Sequence, residues 1–260
     1  MPELPDVAAF QTVLADCAQG RKIRRVEVWD AGVLHGVSAV GLRRAVEGRT
    51  FAAPRRHGKW LLAPLGGDSP TLLLHFGMTG ELVCCHPDDE PAAHDRVAFT
   101  VATDRQLRYR DQRKLRGLWL ADDADQVLEH QGPDALDVSR DAFDAALTGR
   151  RGGIKSALMD QSVLAGLGNL LADEILWRAH LHPTRQARSL SAAERGELYR
   201  CMRRTLRSAV RAGRVPPRRS WLTGHRDVPA GARCPRCDVQ LRHARVAGRG
   251  TVWCPNCQAL

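Results

Sequence analysis

The chain has 260 residues and is 43% hydrophobic. It is long enough for two cored domains, and no apolar run approaches the ~18–20 residues of a membrane span. A net charge of +10 and a pI near 9.7 exclude an acidic, solvating protein and point to a polyanionic partner, with nucleic acid first.

The chain opens "MPELPDV". Met before a small residue such as Pro is commonly removed, which would leave Pro2 with a secondary amine and Glu3 beside it. The residues alone leave two readings open, a stiff leader and an N-terminal nucleophile. Glu3 and Asp6 interrupt any basic-then-apolar leader pattern, so a cytoplasmic setting is expected. Residues 3–20 have Val7, Phe10, Val13, Leu14 and Cys17 near helical spacing and end in Gly20, which predicts a helix.

From 22 to 120 the pattern turns to short strands: "RRVEVWD", "KWLLAPL", "TLLLHF", "ELVCC", "RVAFTVA", "QLRYRD" and "LRGLWLA", separated by Gly, Pro and Asp clusters. This spacing predicts a β-sandwich or related two-layer sheet. "GPDAL" at 132–136 reads as a linker. Residues 139–213 read as helical, with Ser139 as an N-cap and further helices near 154–161, 169–179 and 191–212. Residues 214–233 are rich in Pro, Gly and Arg and read as a connector. The expected class is α+β: a sandwich-like N-terminal domain with a flanking helix (1–132), a helical domain (133–225) and a cysteine-bearing unit (226–260).

Residues 200–226 hold nine arginines and no Asp or Glu, which favours phosphate contact over scattered surface charge. Four of the eight cysteines, Cys17, Cys84, Cys85 and Cys201, are dispersed and read as core or incidental thiols, since a cytoplasmic setting disfavours disulfides. The others form two C-x-x-C pairs, Cys234/Cys237 and Cys254/Cys257, with sixteen residues between them. Such knuckles supply four thiolates to one tetrahedral Zn²⁺, a closed and therefore structural site. A redox pair is the alternative for a single C-x-x-C, and two at this spacing disfavour it. The intervening residues alternate like a β-hairpin with "AGRG" at its turn, which presents Arg249 at the tip. In "GLGNLLADE" the two glycines permit close backbone approach, and a helix starting near Asn169 would aim its free N–H groups at a phosphate. A plain loop-to-helix start with Asn169 as cap is the alternative.

The ordered set "PELP", "GKWLL", "HFGMTG", "LRYRDQRK", "IKSALMDQ", "GLGNLLADE" and the closing four-cysteine finger resembles the formamidopyrimidine-DNA glycosylase/endonuclease VIII family along the whole chain. The resemblance implies a helix–two-turn–helix base-excision repair enzyme, a glycosylase and abasic-site lyase acting as a monomer on damaged duplex DNA. It implies Pro2 as the nucleophile that forms a Schiff base with the sugar, and Glu3 as the carboxyl for acid–base steps. An α-amine titrates near ~8 against ~10.4 for lysine, so part of it is neutral at pH 7. It further implies Lys59 at the reaction centre as a phosphate-binding lysine, and Lys155, Asn169 and Arg249 as DNA contacts. Met78, Arg113 and Leu115 are implied to fill the hole left by the flipped base.

The chain departs from the pattern at Leu115, where the formamidopyrimidine branch has Phe, at Arg116, where it has Gly, and in the short segment at 214–233. "PELP", Met78 and Arg113 favour oxidised purines as substrates. The alternatives are an endonuclease VIII-like enzyme for oxidised pyrimidines and a non-catalytic lesion sensor. A zinc-finger transcription factor is disfavoured because one finger leaves the N-terminal domain unexplained.

Overall fold

The computed structural model describes residues 1–67, 70–226 and 231–260. The chain folds as two units: Met1–Pro2 with Asp6–Glu129, and Glu3–Pro5 with His130–Leu260.

In the first unit, helix α1 (Leu4–Ala18, its first two residues belonging to the second unit) precedes β1 (Arg25–Val28), β2 (Leu34–His35), α2 (Ala39–Val46), β3 (Arg55–His57) and β4 (Trp60–Pro64). There follow β5 (Thr71–His75), β6 (Glu81–Cys85), β7 (Asp95–Thr100), β8 (Gln106–Arg110), β9 (Leu118–Ala121) and α3 (Ala124–Leu128). The strands form a four-stranded sheet, β1-β7-β8-β6, and a five-stranded sheet, β2-β9-β5-β4-β3.

Period-two alternation sorts the side chains between faces. Leu61, Ala63, Leu72 and Leu74 turn inward to meet Val97, Phe99, Leu107 and Tyr109 of the other sheet, together with Leu14 of α1 and Leu42 and Val46 of α2. Trp60, Leu62 and Leu73 take the opposite face, where Ala124, Val127 and Leu128 of α3 cover them. The two-layer expectation therefore holds. The sequence reading missed α2, whose signal is a Ser38 cap accepting from Gly41 N at 3.0 Å followed by Leu42 and Val46 one turn apart.

One expectation is corrected. Cys17 and Cys84 are not separate thiols but a disulfide joining α1 to the edge strand β6. Leu82 and Cys84 share one face of β6, and α1 brings the Cys17 Cα to 5.9 Å from that of Cys84.

In the second unit, α4 (Arg140–Leu147) starts at Ser139, whose Oγ accepts from Ala142 N at 3.2 Å. It is followed by α5 (Ile154–Met159), α6 (Asn169–Arg178) and α7 (Ala192–Arg211), the last opened by a Ser191–Glu194 capping box. Phe143, Leu158, Leu171, Ile175, Leu198, Met202 and Leu206 make the core, and Leu4 is part of it. Strands β10 (Arg242–Val246) and β11 (Arg249–Trp253) pair across a two-residue turn. Ala247 and Gly248 both have positive φ there, as a tight hairpin turn requires.

The finger packs on Trp177 of α6 and on Leu222. The expected connector thus contains buried Trp221 and Leu222; residues 227–230 of that segment lie outside the described residues. Among the described residues, no helix is long and apolar enough to cross a membrane.

Candidate functional site

The N-terminus of α6 carries the first part of the site. Glu3 is buried, and its carboxylate accepts from Leu170 N at 2.8 Å, Gly168 N at 3.0 Å and Leu171 N at 3.1 Å. A carboxylate on the positive end of a helix is a favourable arrangement. Both readings of this helix start are therefore corrected: three of its N–H groups are taken by Glu3 rather than left open to a phosphate, and the cap position falls to Gly168 rather than Asn169.

The two glycines of "GLG" now have separate reasons. A Cβ on Gly168 would lie 2.3 Å from Glu3 Cδ, and one on Gly166, at φ +115°, would lie 2.5 Å from Leu4 Cδ1. Leu4 N also donates to Gly166 O at 3.1 Å. Pro2, bonded to Glu3, is half-buried.

The second part joins α5, α6 and the finger. Lys155 is wholly buried, with Nζ 2.6 Å from Asp173 Oδ1 and 2.6 Å from Thr251 Oγ1. Arg226 pairs with the other oxygen of Asp173, which also accepts from Val252 N at 3.3 Å. Three donors converge on Gly250 O: Asn169 Nδ2 at 2.9 Å, Lys155 Nζ at 3.5 Å and an Arg226 guanidinium nitrogen. Burial pushes the Lys155 ammonium below its usual range although Asp173 opposes the shift. Burial likewise pushes Asp173 up, against the pull of Lys155 and Arg226.

Arg249, the residue before Gly250, is exposed at the start of β11. Lys155 takes no open, phosphate-facing position here; it secures the strand that carries Arg249. Sequence reading missed Asp173, Arg226 and Thr251. The available signal was Asp173 one turn after Asn169 in "NLLAD", on the same helix face.

The first unit holds its own group. Met78 lies in the turn after β5, and Arg113 and Leu115 lie in the loop after β8. Buried Asp111 ties the two loops together: its Oδ1 accepts from Thr79 Oγ1 at 2.6 Å and from Arg113 N at 3.1 Å. Arg113 Nη1 then lies 3.1 Å from Met78 Sδ, and Leu115, 49% exposed, sits beside Gly77, the neighbour of Met78, where a Cβ would lie 3.5 Å from Leu115 Cβ.

Lys59 occupies the β3–β4 turn with Gly58, whose φ is +57°. His75, at the end of β5, accepts from Gly77 N at Nδ1 and has its pKa lowered to about 4 by burial, with Arg116 and Lys59 adding to the effect. It is a neutral imidazole beside two cations, another residue whose role sequence reading did not assign.

The finger brings Cys234, Cys237, Cys254 and Cys257 together, all four sulfurs lying within 4.8 Å of one another. Zn–S bonds of about 2.3 Å in a tetrahedron put sulfurs about 3.8 Å apart. The Cys234–Cys257 pair is at 3.9 Å, Cys237–Cys257 at 3.5 Å and Cys237–Cys254 at 3.4 Å. Trp177 Nε1 donates to Cys234 Sγ at 3.4 Å, and Cys257 N to Cys254 Sγ at 3.3 Å, as thiolate ligands favour. The donor set fits one structural Zn²⁺, and four thiolates leave no position for substrate.

Three family models cover the chain: the formamidopyrimidine-DNA glycosylase N-terminal domain over residues 1–118, the H2TH domain of the same enzymes over 131–218, and the zinc finger found in FPG and IleRS over 231–260. The chain belongs to the formamidopyrimidine-DNA glycosylase family. Among family members, the formamidopyrimidine-DNA glycosylase of Moorella thermoacetica is 37% identical over 94% of this chain and 95% of its own length. That of Symbiobacterium thermophilum is 35% identical over 99% and 89%.

Solved structures of the family superpose along the full chain. A Lactococcus lactis enzyme variant bound to Fapy-dG-containing DNA gives a TM-score of 0.90 at 29% identity, covering 100% of both chains. MutM bound to DNA containing carbocyclic 8-oxo-G gives 0.89 at 28%, again over 100% of both.

Proposed function

We propose that this chain excises oxidised purines from duplex DNA and then cleaves the resulting abasic site, with Pro2 as nucleophile once Met1 has been removed. The observation that carries the reading is the grip on Glu3. Three backbone N–H groups of the α6 start fix the residue bonded to Pro2, and a fixed nucleophile lowers the entropic barrier to attack. Met removal frees the Pro2 nitrogen as a secondary amine.

Its lone pair attacks the sugar C1′ as the C1′–N bond to the damaged base breaks, and the base leaves with a proton. The amine gives up its proton and the sugar ring opens as C1′–O4′ breaks. The ring oxygen takes a proton, and an iminium links protein to DNA. Loss of a C2′ proton then expels the 3′ phosphate, and a second elimination expels the 5′ phosphate. Glu3 serves the proton transfers at the sugar.

Lys59, Asn169 and Arg249 hold the phosphates of the bent strand, and Lys155 positions the strand that bears Arg249. Met78, Arg113 and Leu115 occupy the vacated base position. The enzyme acts as a monomer in the cytoplasm, where its DNA lies.

Borohydride trapping on duplexes bearing 8-oxoguanine, formamidopyrimidine, an oxidised pyrimidine or an abasic site tests the proposal. Protein with an intact-mass-confirmed free Pro2 should cross-link to purine-lesion and abasic duplexes through residue 2. Trapping on none of them would overturn the enzymatic reading in favour of a lesion sensor. Trapping only on the pyrimidine lesion would shift the substrate class.

A further inference from the structure

The solvent face of α7 carries a row of arginines that the excision site does not use. Leu198, Cys201, Met202, Thr205, Leu206 and Ala209 of this helix are buried, in the same core as α6. At 100° per residue, Arg200, Arg204, Arg207 and Arg211 fall on the opposite side, spaced i, i+4, i+7 and i+11. All four are exposed, Arg200 and Arg204 with side chains at 68% and 70%. The row therefore points away from α6, whose N-terminus holds Glu3 and Asn169.

The row spans about 16 Å of helix axis, roughly five base-pair rises of B-DNA. Among the described residues one carboxylate pairs with it, Glu197, 2.8 Å from Arg200 and 3.4 Å from Arg204. Among the described residues no carboxylate pairs with Arg207 or Arg211. Arg203, beside the row, has a buried Nη1 without a hydrogen-bond partner.

We infer that this face of α7 is a second phosphodiester-binding surface, which holds a DNA segment other than the one in the excision site. Guanidinium groups match phosphate oxygens in fork geometry, and a straight row suits a polyanionic backbone. A protein partner needs apolar or aromatic anchors at the centre of its contact. Among the described residues, the exposed large hydrophobics, Met1, Trp29, Val40, Leu115, Val239 and Leu260, all lie off α7. A chain that engages two segments at once passes from one to the other without full release, which would serve a search for rare lesions.

The inference reaches beyond excision and is tested apart from it. Two differently labelled undamaged duplexes, each short enough to occupy one site, are mixed with the full-length zinc-loaded protein at low salt. Energy transfer between the labels reports bridging.

Wild type should bridge them, with a salt slope of about two to four on a log–log plot at ~0.9 per phosphate contacted. The variant R200Q/R204Q/R207Q/R211Q should lose bridging tenfold or more. Its thermal unfolding and its single-turnover excision on a short lesion duplex should stay unchanged. Absence of bridging by wild type would overturn the inference, including the case in which the row serves an acidic protein. Equal bridging by the variant would overturn it as well. A fall in the variant's single-turnover excision would place the row in the primary DNA footprint and also sink the idea.

Discussion

Glu3 is held by three N–H groups and so tolerates little change. In Glu3→Gln the amide NH₂ would face a backbone donor, leaving a buried polar group unpaired at about 1–3 kcal/mol. Urea melts should show that loss alongside depressed base excision. Gly168→Ala tests the same contact from the other side. A Cβ at 2.3 Å from Glu3 Cδ should lower stability by about 1–3 kcal/mol and weaken borohydride trapping, even though the backbone there suits alanine.

His75 adds a pH signature. It is neutral in the fold down to about pH 4, whereas the unfolded chain protonates it near 6.5. Its contribution is therefore full above pH 6.5 and is lost as pH falls toward 4, by up to about 3 kcal/mol. Comparing wild type with His75→Asn in denaturant at pH 7 and pH 4.5 should show the steeper loss in wild type. Pro2 and Glu3 were legible as a pair in the sequence, but the partner of Glu3 lies 165 residues away and no local pattern could reveal it. The surroundings of Lys155 were hidden for a related reason, because a lysine code says nothing about the aspartate that pairs with it.

At the scale of elements, the finger depends on its metal. Chelation or Cys254→Ser should release zinc, unpack Trp177 and Leu222 from the hairpin, and weaken DNA binding by freeing Arg249. Metal analysis finding less than one zinc per pure chain would contradict the four-thiolate site. This element was readable because its ligand spacing is local, as were the Ser139 and Ser191 helix starts, whose caps lie within four residues. The sandwich was readable from alternation in its longer strands. The two-residue β2 escaped because it shows a single alternation, and α2 and α3, of eight and five residues, because they repeat their pattern over only about one to two turns. The Cys17–Cys84 link escaped because 67 residues separate the two cysteines and the expected compartment argued against it.

Across the whole molecule, that link and the charge set two measurable behaviours. Reduction of the disulfide should destabilise the first unit by roughly 2–4 kcal/mol, and Cys17→Ser should show the same loss with no further response to reductant. With a net charge of +10, DNA affinity should fall steeply with salt. Lys59→Ala and Arg249→Ala should each lower the log–log slope by about one, across sequences. Unchanged slopes in both variants would remove these two residues from the footprint. The arginine-rich composition announced a polyanion, but it did not say that part of the charge would line one helix face and part would be bound up inside the fold.

The carbonyl oxygen of Gly250 has two lone pairs, yet an amide, an ammonium and a guanidinium all point at it. Lys155 also reaches Asp173 and Thr251, and Arg226 also reaches Asp173, so both of these donors have acceptors besides Gly250. Asn169 is the donor whose proposed role lies outside this knot. A phosphate held by Asn169, as proposed, competes with Gly250 O for its amide, an exchange of partners rather than the creation of a contact from nothing. The affinity gained from Asn169 will therefore be smaller than a count of bonds in the complex implies.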